Sequence, residues 1–139
     1  MRQKLNLITL GVNNLERSVK FYESLGWKKS PASVESLAVF PLGGITLCLH
    51  PREELAQDAQ LPNVKSEFSG ITLSFNAKSE KEVDEVLAEV KRHGATIIKQ
   101  AQKVYWGGYS GYFKDLDGHV IEVAFNPHWE LDVNDNLKL

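Results

Sequence analysis

The feature of this 139-residue chain that most constrains its fold is a strand–helix–strand pattern that occurs twice. Leu7-Ile8-Thr9-Leu10-Gly11-Val12 alternates with period two, the mark of a strand, and Gly70-Ile71-Thr72-Leu73-Ser74-Phe75 reproduces that order. Each run leads into a capped helix. Asn13 with Glu16, and Ser79 with Glu82, have capping-box spacing, in which the two residues satisfy each other's free backbone N–H groups. Leu15, Val19, Tyr22 and Leu25 then recur at helical spacing up to Gly26, as Val83, Val86, Leu87 and Val90 do up to Gly94. An imperfect repeat of roughly 60 to 70 residues implies two similar modules paired about a pseudo-two-fold axis.

The remaining segments complete each copy. Residues 27–30, 36–40 and 45–50 read as extended pieces, with Pro41-Leu42-Gly43-Gly44 as a turn, and 53–59 as a short helix. In the second half, 96–99, 108–113 and 119–126 read as strands, the last two joined by the turn Asp115-Leu116-Asp117-Gly118. The expected fold is therefore α+β, two βαβββ modules spanning about 5–62 and 68–127, followed by a tail, 128–139. Along the strands one face is large and apolar: Ile8, Leu10 and Val12; Ile45, Leu47 and Leu49; Ile71, Leu73 and Phe75; Ile121, Val123 and Phe125. That face belongs against the helices. The other is small and polar, with Thr46, Cys48, His50, Thr72, Ser74 and Glu122, and is either wetted by solvent or, if the twisted sheet curls, the lining of a pocket.

Charge narrows the partners. Sixteen basic residues against 18 acidic ones give a net charge of −2, and no Lys/Arg cluster appears, which argues against a nucleic-acid binder. No apolar run approaches the roughly 18 residues that span a bilayer, and no long apolar leader opens the chain. The single cysteine, Cys48, excludes an intramolecular disulfide and a CxxC zinc motif, and with these features points to a cytoplasmic protein.

The opening from Leu7 to Tyr22 with Leu25-Gly26-Trp27, and the ending Gly111-Tyr112-Phe113-Lys114-Asp115-Leu116-Asp117-Gly118-His119-Val120-Ile121-Glu122, resemble the glyoxalase / bleomycin-resistance / extradiol-dioxygenase (vicinal oxygen chelate) superfamily. Its terminal hairpin usually reads F-x-D-P-D-G-x-x-x-E, and Leu116 replaces the proline. The resemblance covers roughly residues 5 to 127 and implies an open, U-shaped mixed sheet with helices on its outer face. Metal-dependent members draw one His or Glu from each of four strands. Those positions fall on Leu7, Thr46, Gly70 and Glu122, so only Glu122 matches, and the expectation is a protein without a tightly held metal. His50 lies four residues beyond Thr46, about 13 Å along a strand, too far to replace the missing ligand.

The bleomycin-resistance branch implies a different use of the cavity, the sequestration of a flat cationic molecule between two chains. Residues 105–113 hold five aromatics and three glycines in nine residues, read as an aromatic lip over the pocket or, with no ligand, as a rim or dimer contact. The expected ligand-binding set is Trp106, Tyr109, Tyr112, His50, Thr46, Thr72 and Glu122, with Glu122 also the candidate catalytic group. Three functions stay open: a metal-free binder of a small aromatic or cationic molecule, acting as a homodimer; a lyase, isomerase or dioxygenase-like enzyme using Glu122 with a substrate-recruited divalent metal; and a dimeric accessory module without ligand.

Overall fold

The alternating run near the N-terminus becomes β1 (Leu7–Val12), and Asn14 caps the helix that follows, α1 (Leu15–Ser24). The computed structural model describes residues 1, 3, 5–66 and 68–138. The chain divides into two compact units, Met1–Glu67 and Phe68–Leu139.

In the first unit the α1 cap falls one residue later than the capping-box spacing places it. Asn14, in extended conformation, accepts the Arg17 N–H at 2.9 Å. The helix buries Val19, Phe21 and Tyr22. Next come β2 (Ala38–Pro41), β3 (Thr46–Pro51) and α2 (Arg52–Asp58). The sheet order is β1-β3-β2, with β3 parallel to β1 and antiparallel to β2. Residues 27–30, expected as a strand, form none, although Ser30 N–H reaches Val39 O at 2.7 Å. Their apolar signal came from Trp27, whose ring packs on Tyr22 and Phe40 with centroids 5.0 and 6.2 Å away. A residue that packs sideways on aromatic neighbours imitates strand patterning without joining a ladder. Among the described residues this unit therefore forms a three-stranded sheet, one strand fewer than the repeat predicts.

The second unit is the complete copy: β4 (Leu73–Asn76), α3 (Glu80–Arg92), β5 (Thr96–Lys103), β6 (Tyr109–Lys114) and β7 (Val120–Phe125). Its order is β4-β7-β6-β5, with β4 and β7 parallel and the other pairs antiparallel. Half of the Ser79 capping box forms as its spacing requires, Ser79 Oγ accepting the Glu82 N–H at 3.1 Å, while the Glu82 carboxylate reaches one residue further back and its Oε2 accepts the Lys78 N–H at 2.5 Å. Val83, Leu87 and Val90 on α3 are buried, as are Phe113, Ile121 and Val123 on the sheet. Gly111 permits this approach. A Cβ there would lie 2.6 Å from Leu87 Cδ1 and 2.9 Å from Lys99 O.

One expectation changes here. Ile71 and Phe75, assigned to the helix-facing side, are 65% and 43% exposed, because the strand begins only at Leu73 and lies at the sheet's edge. The tail carries two short strands. Glu130–Leu131 (β8) and Leu137–Lys138 (β9) pair as a small antiparallel hairpin.

Candidate functional site

Strand register assembles the site. Glu122, mid-way along β7, pairs with Tyr112 on β6 and with Ser74 on β4, and Tyr112 pairs in turn with Lys99 on β5. Paired residues share a face of a sheet, so Ser74, Glu122, Tyr112 and Lys99 form one row across all four strands. Ser74 Oγ donates to Glu122 Oε2 at 3.2 Å, and Tyr112 stands opposite Glu122 in the β6–β7 ladder. Lys99 Nζ stands 5.3 Å from the Tyr112 ring centroid, a cation–π distance. Burial, and then the neighbouring Glu122 carboxylate, push the Tyr112 phenol up to about 12, so at neutral pH it stays protonated beside the carboxylate.

Ser110 extends this face. It sits two residues before Tyr112 in a regular stretch of the β6–β7 ladder, opposite Ala124, so it shares the Tyr112 face. It is 1% exposed, and its Oγ is the one buried side-chain polar atom among the described residues with no hydrogen-bond partner. Such a hydroxyl costs about 1–3 kcal/mol unless something satisfies it. Gly108, two residues further back, has its side-chain space filled by the indole of Trp106. Gly107, at φ +92, turns the chain there, its N–H donating to Val104 O at 3.0 Å.

The residues expected from sequence fall in both units. Glu122 and Tyr112 meet directly, and Trp106 lies against the hairpin backbone next to Ser110's strand, folded onto Gly108. Tyr109 is on the opposite side: its hydroxyl donates to Asp84 of α3 at 3.0 Å, with Lys103 Nζ 5.9 Å from its ring. Lys103 also pairs with Glu80. Thr72 precedes β4 and is exposed. Thr46 and His50 belong to the first unit, where Thr46 pairs with Leu7, His50 Nδ1 contacts Ser36 O at 2.5 Å, and His50 Nε2 is 4.0 Å from Glu54. Lys99 and Ser110 were missed from sequence. Only the ladder reveals them, and the β5–β6 register shifts around Lys99 hide that pairing from any count of residues.

Within the second unit Glu122 has the hydroxyl-bearing Ser74 and Tyr112 beside it and Lys99 beyond them in the row, whereas a divalent ion takes further imidazole or carboxylate ligands. Among the described residues, no three His, Cys, Asp or Glu side chains are grouped to hold one.

Comparison with known proteins is consistent across three kinds of match. The family model described as the Glyoxalase/Bleomycin resistance protein/Dioxygenase superfamily matches residues 4–123. Among curated relatives, the metallothiol transferase FosB of Shouchella clausii is 28% identical over 120 residues, covering 86% of this chain and 77% of that protein. The glutathione transferase FosA of Serratia marcescens is 29% identical over 123 residues, covering 88% and 81%. Among solved structures, a glyoxalase-related enzyme from Fulvimarina pelagi superposes with a TM-score of 0.88 at 27% identity, covering 99% of this chain and 98% of that one. No helix of the described residues is long and apolar enough to cross a membrane.

Proposed function

The chain belongs to the glyoxalase/bleomycin resistance protein/dioxygenase superfamily, and we propose that it is a small-molecule binding protein whose ligand sits on the Glu122 face of the second unit without a tightly held metal. The observation that carries this reading is the buried, unpartnered Ser110 hydroxyl beside the Lys99–Tyr112–Glu122–Ser74 row. A ligand with a cationic or N–H group meets the Glu122 carboxylate. An acceptor on the same ligand satisfies Ser110, and an aromatic body lies against Tyr112. Lys99 tunes the face against purely cationic molecules, so the favoured ligand carries both a donor and an acceptor. The names of the transferase relatives support a second reading, group transfer on a bound small molecule, in which Glu122 is the proton acceptor.

The functional assembly is a homodimer: Phe68, Ile71 and Phe75, at 61%, 65% and 43% exposure around the β4 edge, supply the apolar surface for a second copy. The lone buried Cys48 supports a reducing, cytoplasmic setting. A thermal-shift screen of aromatic amines, amino-acid-like zwitterions and thiol substrates, run in chelator, tests the binding reading. The expected hits raise the melting temperature of the native protein and of Tyr109→Phe but not of Ser110→Ala or Glu122→Gln. Stabilisation that requires added Zn²⁺ or Mn²⁺, or that survives both substitutions, would overturn it.

A further inference from the structure

The tail builds a cavity that the Glu122 row does not use. The β8–β9 hairpin closes around Asp132, whose carboxylate accepts the backbone N–H groups of Asn134 at 2.8 Å and Asn136 at 2.9 Å. Those bonds, the Asn136 one foremost, hold Asp132 below the usual carboxylate range and therefore ionised at neutral pH. Between this hairpin and the ends of β4 and β7 lies a space of about 440 Å³, within the range of small-ligand sites. Its apolar part is Phe125, Leu131 and the half-exposed Trp129. Its polar part is three carboxylates, Glu130, Asp132 and Asp135, against two ammoniums, Lys78, which is 2.6 Å from Asp135, and Lys138 of β9, which is 3.0 Å from Glu130. Seven of the lining residues lie beyond residue 123, outside the stretch matched to the family.

We propose that this cavity binds a small organic cation, a protonated or quaternary amine carried on an apolar body. With Lys78 and Lys138 set against the three carboxylates, one net negative charge remains around the space, which favours a cation over an anion. A divalent metal is a poorer occupant, because Asp132 already uses its carboxylate as a backbone acceptor and Asp135 and Glu130 each face an ammonium. An organic cation asks for less. Its charge needs only an aromatic face within about 6 Å and carboxylates nearby, and its apolar body covers Phe125 and Leu131. Nothing here depends on Glu122 or Ser110, so this site stands or falls separately from the strand row.

The test is a titration of the full chain with benzyltrimethylammonium, followed through the Trp129 indole N–H, one of three tryptophan signals in the NMR spectrum. The expected result is a saturable shift of that signal, at least about tenfold weaker binding in Trp129→Leu, and unchanged binding in Glu122→Gln. Trp129→Phe and Glu130→Gln serve as second variants should Trp129→Leu melt abnormally; the first retains binding because the aromatic face persists, and the second weakens it. Absence of a saturable shift overturns the proposal. So does equal binding of the neutral benzyl alcohol, an affinity insensitive to Glu130→Gln, or loss of binding in Glu122→Gln, which would put the cation on the other face.

Discussion

Tyr112 is the central residue of the row, because it is both the wall against which Lys99 packs and the residue opposite Glu122. Its raised pKa has a definite consequence for stability. A tyrosine whose folded pKa, about 12, exceeds the ordinary value of 10 stabilises the fold fully below pH 10, and that contribution is lost as the pH rises from 10 through 12. Native protein is therefore expected to lose stability over this window more steeply than Tyr112→Phe. Subtracting the alkaline tyrosinate absorbance of the variant from that of the native chain isolates the transition, whose midpoint should fall near pH 12. A midpoint at the ordinary value of 10 would show that neither burial nor Glu122 acts on this phenol.

At the scale of elements, α3 is the support on which the row is mounted. It packs on β5, β6 and β7 through Val83, Leu87 and Val90, and it starts where Ser79 caps it. Ser79→Ala should cost about 1 kcal/mol, read as a lower urea midpoint at unchanged slope; a cost near zero would mean that water replaces the cap freely. This cap, the α3 stripe and the strands from Gly108 onward were legible in the sequence because each rests on local spacing. Trp27 misled because periodicity records that a residue is buried, not whether its backbone joins a ladder. Ser110 and Lys99 stayed hidden for a related reason. A serine and a lysine on a strand are unremarked until pairing shows which residue stands opposite, and the bulges in β5 remove the simple count that would have told it. Tyr109 failed in the other direction: its aromatic neighbourhood looked like a lip, while Asp84, 25 residues away, draws it to the helix.

Over the whole molecule the repeat is unequal. The second unit keeps all four strands of the expected module, while the first keeps three. Apolar side chains cluster on exposure at the second unit's first strand, where Phe68, Ile71 and Phe75 would cost solubility in a chain that remained alone. Sedimentation velocity at micromolar concentration should report a dimer, and Ile71→Lys with Phe75→Lys should shift it to monomer while leaving the melting transition cooperative. A native monomer would remove the assembly and leave those residues without a function. One consequence of the β4–β7 pairing concerns time. Ser74 and Glu122 lie 48 residues apart, and they meet only through a parallel pairing of the second unit's first sheet strand with its last. Closing so long a loop is slower than forming α3 or the local β6–β7 hairpin. The Ser74–Glu122 contact is thus expected among the last parts of the chain to come into being, and a nascent protein released before β7 exists lacks the row altogether.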